Sequence, residues 1–158
     1  MMENLRNWLR GIIAPLSTRP PALQVAALCL RDGTSEPDVL LVRSLDTRRW
    51  IIPKGWPMPG RTLSEAAAIE AWEEAGVKGR IDTTACTSFG YAKRKRAGMQ
   101  IDCEVQVFRL MVDSLADSYP EAGKRERKWV PASKAASNVR EPELRAYLVG
   151  LSTRGGSL

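Results

Sequence analysis

The sequence of 158 residues contains no histidine, only three cysteines and no long apolar segment. Without histidine, the chain lacks the usual general base and the commonest ligand of transition metals, and it cannot form a Ser-His-Asp or Cys-His catalytic arrangement. A membrane-spanning helix needs roughly 20 consecutive apolar residues, so we predict no transmembrane segment. Any chemistry must therefore come from carboxylates, lysines, arginines, tyrosines or a bound hard cation.

The cysteines and the overall composition indicate an ordinary globular protein. Cys29, Cys86 and Cys103 are odd in number and lack the spacing of a metal site, which predicts reduced core thiols and a cytoplasmic location. The hydrophobic content of 44% and the charged content of 27% fit one domain with a real core. The net charge of +6 favours an anionic partner. RNA, a membrane surface and a polyphosphate substrate would all match that sign.

The chain divides into three parts by composition. Residues 1–20 are predicted to form an N-terminal amphipathic segment and linker, 21–152 the main domain, and 153–158 a flexible tail. Apolar residues at helical spacing in 1–16 predict a helix that docks on the domain. A peripheral contact with a membrane surface or a partner is the alternative for this segment.

The main domain alternates strand and helix patterns, which predicts an α/β (α+β) domain built around one sheet. The predicted strands are 22–31, 38–44, 49–52, 80–93, 99–112 and 127–131, with 80–93 and 99–112 forming a hairpin. The predicted helices are 63–75, 132–137 and 141–151.

The helix at 63–75 carries an unusual group of carboxylates. Thr62 and Glu65 fit a capping box at its start. Glu70, Glu73 and Glu74 share one face near its end, where like charges repel by about 0.2–0.5 kcal/mol per pair and oppose the helix dipole. A hard divalent cation such as Mg²⁺ or Mn²⁺ would offset both effects. The alternative is a solvated acidic face.

The stretch "PKGWPMPGRTLSEAAAIEAWEEAGV" resembles the Nudix box of the Nudix hydrolases, G-x5-E-x7-R-E-U-x-E-E-x-G-U, in which U is a bulky apolar residue. The matching positions are Gly55, Glu70, Glu73, Glu74, Gly76 and Val77. Arg61 replaces the first glutamate of the box, Ile69 replaces its arginine, and Ala71 replaces its apolar residue. The resemblance covers about residues 22–150 and implies a Nudix-type α/β/α sandwich with a mixed central sheet.

The resemblance also implies the site. Glu73 and Glu74 would be metal ligands, Glu70 a ligand or the base that activates water, and the Gly55 carbonyl a further ligand. All three glutamates are thus the expected catalytic residues.

Nudix enzymes often recruit a further carboxylate downstream of the box, and Glu126 is the first candidate, with Glu104 second. We also expect Glu65 to pair with Arg61, which would replace part of the support that the box loses at Arg61 and Ile69.

Basic residues cluster in three predicted loop segments, which would form a cationic pocket if these loops converge on the helix, and Trp56 is the tryptophan expected to be exposed to a ligand. The candidate substrate-binding residues are Arg48, Arg49, Lys54, Lys93, Arg94, Arg125 and Trp56. Solvated surface runs are the alternative for each group. The segments "RRWIIPKG" and "GKRERKWV" look like the branch of the family that hydrolyses diphosphoinositol polyphosphates and diadenosine polyphosphates.

These observations predict a Mg²⁺- or Mn²⁺-dependent Nudix pyrophosphohydrolase acting on a small polyphosphorylated molecule, without a stable nucleic-acid complex. ADP-ribose and nucleoside triphosphates stay open as substrates. The alternative function is a non-catalytic Nudix-like module that binds polyphosphate or RNA. The oligomeric state is open, with a homodimer among the options.

Overall fold

The computed structural model describes residues 19–156 and 158, which form eight strands and three α-helices. The helix predicted within 1–16 lies outside the described residues. The described helices include none that is long and apolar enough to cross a membrane.

The strands and helices follow one another along the chain in a mixed order. The strands are β1 (Ala22–Arg31), β2 (Asp38–Arg43), β3 (Trp50–Ile51), β4 (Lys54–Gly55), β5 (Val77–Ile81), β6 (Thr87–Arg94), β7 (Gln100–Leu115) and β8 (Arg127–Pro131). The helices are α1 (Leu63–Ala75), α2 (Ala132–Asn138) and α3 (Pro142–Ser152).

All eight strands belong to one mixed sheet. Its main path runs β3-β2-β1-β7-β5, while β4 pairs with β1, β6 with β7 and β8 with β2. The central pair β1 and β7 is parallel, from Ala22 opposite Cys103 to Leu30 opposite Met111. The other strand pairs are antiparallel.

The sheet separates two hydrophobic cores. Because successive strand residues point to opposite faces, Ala26, Leu28 and Leu30 of β1 face the core that includes α2 and α3, while Val25 and Ala27 face α1. Alanines on the inner side of α1 let this helix pack closely on the sheet. The predicted three-layer architecture is confirmed.

Most predicted elements are confirmed, with one clear correction. The segment 80–93 is not a single strand, because it divides into the end of β5 and most of β6. β5 pairs with the second half of β7, whereas β6 and the first half of β7 form the predicted hairpin. The two-residue strand β4 was predicted as loop, and its pairing with β1 fixes Lys54 and Gly55 beside α1.

Candidate active site

Helix α1 begins with the predicted capping box. The Oγ1 atom of Thr62 accepts a hydrogen bond of 3.1 Å from the backbone N–H of Glu65, and the Glu65 carboxylate accepts one of 2.8 Å from the Thr62 N–H. The Glu65 carboxylate is therefore engaged at the helix start. The predicted ion pair between Glu65 and Arg61 is wrong, since none forms between these two described residues.

The other end of α1 receives positive charge from outside the helix. Gly76 ends the helix in the left-handed conformation, with φ of 67°. The Arg127 guanidinium donates hydrogen bonds of 2.6 Å to the Ala75 carbonyl and 2.9 Å to the Ala116 carbonyl. A cation at the helix C-terminus offsets the macrodipole, which lessens the cost of placing carboxylates in the last turns.

Glu74 is the most buried of the helix glutamates. Its side chain is 11% exposed, and its carboxylate accepts a hydrogen bond of 3.4 Å from the backbone N–H of Lys54. Burial raises the pKa of Glu74 to about 7, and the charges of Glu70 and Glu121 act in the same direction. The Arg125 guanidinium opposes that rise. Such a carboxylate is poised to gain from a nearby cation.

Glu70 lies directly against the backbone of Gly55. A Cβ atom placed on Gly55 would come within 2.1 Å of Oε1 of Glu70, so the position admits no side chain without moving the carboxylate. Burial raises the pKa of Glu70, followed by the effect of the Glu73 and Glu121 charges. The spacing from Gly55 to Glu70 therefore has a direct geometric meaning, because the glycine leaves the volume that the carboxylate occupies.

Glu121 is a member of this cluster that the sequence analysis missed. It lies in the loop between β7 and β8, and its backbone N–H donates a hydrogen bond of 3.0 Å to the carbonyl of Glu73. A second bond of 2.8 Å, from the Ala116 N–H to the Gly76 carbonyl, holds the same loop on the helix end. No periodic pattern marks Glu121, because a loop contact alone places it there.

The two downstream carboxylates proposed from sequence are positioned differently. Glu126 is exposed, and Glu104 is exposed on β7 opposite Gly90 of β6. Neither is among the groups whose charge shifts the pKa of Glu70 or Glu74. The structure brings Glu121 to the helix carboxylates in their place.

Arg125, predicted to bind substrate, lies within the carboxylate cluster instead. Its side chain is 8% exposed, and its guanidinium is 3.6 Å from Glu74 and 3.2 Å from Glu121. It also donates a hydrogen bond of 3.3 Å to the carbonyl of Arg43 at the end of β2.

Four of the predicted basic residues meet around one cavity of about 250 Å³. They are Arg49, Lys54, Lys93 and Arg94, and they share the cavity wall with Asp46, Glu141 and Tyr91. Arg49 forms an ion pair of 3.2 Å with Glu141. The cavity wall therefore carries more basic than acidic side chains, which suits an anionic ligand.

The last two predicted binding residues lie beside this cavity without lining it. Trp56 is 42% exposed, and the Lys93 ammonium is 5.1 Å from its ring centroid. Arg48 is exposed in the turn before β3, where its carbonyl accepts a hydrogen bond of 2.6 Å from Arg43.

Lys54 connects the cavity with the carboxylates. Its backbone bonds to Glu74, while its ammonium donates a hydrogen bond of 3.1 Å to the Tyr91 hydroxyl at the cavity wall. Tyr91 in turn donates to the buried side chain of Gln24 on β1. Burial lowers the pKa of the Lys54 ammonium, and the Glu74 charge opposes this.

Residues 20–148 match the model of the NUDIX domain. The chain belongs to the Nudix family. This confirms the resemblance inferred from Gly55, Glu70, Glu73 and Glu74 in the box, despite the replacements at Arg61 and Ile69.

Among curated Nudix proteins, the chain is 31% identical over 129 residues to the mitochondrial Nudix hydrolase 16 of Arabidopsis thaliana, covering 75% of this chain and 69% of the relative. It is 30% identical over 108 residues to the mouse diphosphoinositol polyphosphate phosphohydrolase 3-alpha, covering 67% and 62%. For seven such relatives, the matched region spans between 45% and 69% of the relative's own length. Several of these relatives are named as mitochondrial or chloroplastic, so the cytoplasmic location stays a prediction.

A solved hydrolase structure shows the same fold. The Ap4A hydrolase of C. elegans superposes with a TM-score of 0.52 at 17% identity, covering 75% of this chain and 86% of that one. The NUDIX domain and the relatives that are named Nudix hydrolases support the prediction that this chain is a pyrophosphohydrolase.

The residues of the Nudix box fit a hard divalent cation. The Glu70 carboxylate lies beside the backbone of Gly55 and the Glu74 carboxylate beside that of Lys54, and Glu73 adds a third carboxylate on the same helix. Among the described residues, no three acidic or thiol side chains lie together closely enough to hold a metal ion by themselves. A Mg²⁺ ion held there would depend on water and substrate phosphates for much of its shell, as this ion usually does.

Proposed function

We propose that this chain is a divalent-cation-dependent hydrolase that cleaves a diphosphate linkage in a small polyphosphorylated substrate. Diadenosine polyphosphates and diphosphoinositol polyphosphates are the favoured substrate classes. Glu70, Glu73 and Glu74 would hold the cation, with the Gly55 carbonyl as a further ligand and Mg²⁺ or Mn²⁺ as the metal.

One observation carries this proposal. The two-residue strand β4 contacts the carboxylate cluster and the basic cavity at once, because Lys54 bonds to Glu74 through its backbone and lines the cavity with its side chain. Gly55, the next residue, lies against Glu70. A phosphate chain bound in the cavity would therefore lie next to the oxygens expected to hold the cation.

The chemistry of this arrangement suits phosphoric anhydride hydrolysis. A bound divalent cation lowers the pKa of a coordinated water and neutralises phosphate oxygens. The residues of the chain itself have complementary roles. Arg49, Lys93 and Arg94 would bind additional phosphates. Glu70, which lies against Gly55 and whose pKa is raised by burial, would accept the proton of the attacking water.

Two kinds of relative support the substrate class. The names of the mouse protein and of the C. elegans protein refer to diphosphoinositol polyphosphate and to Ap4A, which both carry several linked phosphates. The cavity wall has four basic and two acidic side chains, and this net positive charge suits a chain of phosphates. ADP-ribose and nucleoside triphosphates are the competing substrates.

The second candidate is a non-catalytic module that binds polyphosphate through the same cavity. The observation that favours it is that Arg61 replaces the first glutamate of the Nudix box and Ile69 replaces its arginine. The polar support that the family uses around the glutamates is then missing from the helix itself.

A substrate panel separates these candidates. Purified protein is incubated with diadenosine tetraphosphate, a diphosphoinositol polyphosphate, ADP-ribose or a nucleoside triphosphate, each with Mg²⁺, Mn²⁺ or EDTA. We expect cation-dependent product release from one of the first two, and a loss of at least about 100-fold in Glu73→Gln and Glu74→Gln. Glu143→Gln, an exposed substitution on α3, is the matched control and retains activity.

Two results would contradict the proposal. Tight binding without turnover of any compound favours the binding module. Equal turnover in the presence of EDTA removes the role of the cation.

A further inference from the structure

Arg125 is a buried cation placed among carboxylates. Its guanidinium lies between Glu74 and Glu121, at 3.6 and 3.2 Å. The carbonyl of Arg43 fixes the guanidinium from β2, and the backbone bond from the Glu121 N–H to Glu73 fixes the loop on α1. Contacts with β2 and with α1 therefore both hold this positive charge at the cluster.

The hydrogen bonding of this guanidinium is incomplete. Its Nε atom is buried and has no hydrogen-bond partner among the described residues. The 3.6 Å separation from Glu74 is that of an ion pair without a good hydrogen bond. A buried donor without an acceptor is unfavourable. Attraction to the neighbouring carboxylates is therefore the interaction that favours the buried position of the guanidinium.

The cluster needs this charge because its own helix provides none. Ile69 is apolar, and the exposed Arg61 forms no ion pair with any described residue. The last turn of α1 contains no basic residue. Among the nearby charges, Arg125 is the strongest that favours the ionised form of Glu74.

We infer that Arg125 is a built-in counter-ion of the carboxylate cluster, which stabilises the cation-free protein and competes with a divalent cation for Glu74. The inference rests on the proposed function in one respect, because the divalent cation is the one assigned there to the box glutamates. Arg125 is a positioning residue from the β7–β8 loop. It lowers the affinity for the cation, whereas a ligand raises it.

Charge accounts for the direction of the effect. A divalent cation beside Glu74 would be repelled by the guanidinium, which must move away or share the carboxylate. Removing the guanidinium removes this repulsion and leaves the carboxylates without their counter-ion. The cation-free protein then loses stability, while cation binding becomes tighter, by about tenfold for each 1.4 kcal/mol of repulsion removed.

The test compares Arg125→Met with Lys124→Met. Lys124 is exposed in the same loop, forms no ion pair with the described residues, and its replacement changes the net charge equally. Binding of Mn²⁺ and of Mg²⁺ is measured by calorimetry, and thermal unfolding is followed in EDTA and in saturating cation. We expect Arg125→Met to bind the cation about tenfold more tightly than wild type and to unfold at a lower temperature in EDTA. Lys124→Met should match wild type in both.

Unchanged or weaker cation binding in folded Arg125→Met would overturn the inference. A measurement on the wild-type protein covers the case in which that variant does not fold. The Nε–H resonance of Arg125, assigned by its loss in Arg125→Lys, should shift during a Mg²⁺ titration with the same midpoint as the calorimetric binding. A resonance that stays in place while the cation binds would also overturn the inference.

The two proposals fail in distinguishable ways. If the wild-type protein binds neither Mn²⁺ nor Mg²⁺, the proposed function fails at its first step. If wild type binds the cation and Arg125→Met binds it no better, only the role of Arg125 fails.

Discussion

The backbone N–H of Lys54 lies 3.4 Å from a carboxylate oxygen of Glu74, and this contact joins the two halves of the candidate site. Strand β4 can hold this position because it pairs with β1, through Lys54 opposite Ala26 and Gly55 opposite Val25. Helix α1 packs on the face of the sheet to which Val25 and Ala27 of β1 point. The site geometry therefore depends on a strand of only two residues.

The first prediction concerns the close approach of Gly55 to Glu70. In Gly55→Ala, the new Cβ would lie 2.1 Å from Oε1 of Glu70, so the carboxylate must move away. We expect weaker binding of Mn²⁺ by calorimetry. The free energy of unfolding, measured by urea denaturation, should change little, because the end of the Glu70 side chain can swing aside. Gly90→Ala is the control, since its nearest neighbour is the Cys103 carbonyl at an ordinary 3.7 Å. Wild-type cation affinity in Gly55→Ala would show that Glu70 does not need its observed position.

The second prediction separates stability from cation binding at Glu74. The charge of Glu74 is unfavourable on balance, because burial and the charges of Glu70 and Glu121 outweigh the attraction of Arg125. Glu74→Gln removes this charge, while the amide oxygen can still accept from Lys54. In EDTA the unfolding temperature should be equal to that of wild type or higher. At one fixed Mg²⁺ concentration, this temperature should rise in wild type and rise less in the variant, which lacks one of the expected ligands. Calorimetry or thermal scans with and without Mg²⁺ measure both effects, and a fall of more than about 3 °C in EDTA would contradict the prediction.

Local signals made part of this fold predictable. The capping box of Thr62 and Glu65 and the terminal Gly76 define α1, and the structure has the helix at the predicted 63–75. The separation of β5 from β6 was not predictable, because β5 is short, largely exposed and lacks alternation. Its pairing with the far half of β7 depends on contacts distant in sequence.

The same distinction applies to the site. Gly55 and Glu70 come together because a fixed number of residues links β4 to one face of α1. The spacing of the box therefore predicts that contact. Glu121 and Arg125 reach the cluster through the β7–β8 loop, whose path the sequence pattern does not specify. The expected pair of Arg61 and Glu65 failed because the capping box already occupies the Glu65 carboxylate.

The third prediction concerns the cysteines, which the structure leaves as free thiols. Burial raises the pKa of Cys29 far above its usual range and also raises the pKa of the half-buried Cys86, while Cys103 is buried. Because the thiolate is the reacting species, a raised pKa leaves less of it at neutral pH. We expect almost no reaction of the folded protein with Ellman's reagent at pH 7, and a slow increase at alkaline pH that begins at Cys86.

The unfolded chain is the control for this experiment, and all three cysteines should react in guanidinium chloride. Rapid modification of one full equivalent in the folded protein at pH 7 would contradict the burial of these thiols.

The fourth prediction tests the basic cavity as the place where extra phosphates bind. Lys93 lines the cavity, whereas Lys95, two residues further along the hairpin, is exposed and does not line it. Lys93→Gln should raise KM for the polyphosphorylated substrate by about 3–10-fold at low salt, because one favourable charge is lost at short range. Its kcat should change little, since the side chain is not among the groups that act on Glu70 or Glu74.

Lys95→Gln is the matched control for this change, since it removes the same charge from the same hairpin and should leave KM within about twofold of wild type. Steady-state kinetics at two ionic strengths provide the second criterion. The difference in KM between Lys93→Gln and wild type should shrink as salt screens the cavity, and should be smaller for a substrate with fewer phosphates. Equal KM effects from Lys93→Gln and Lys95→Gln would mean that the substrate responds to the overall charge of the protein and not to this cavity.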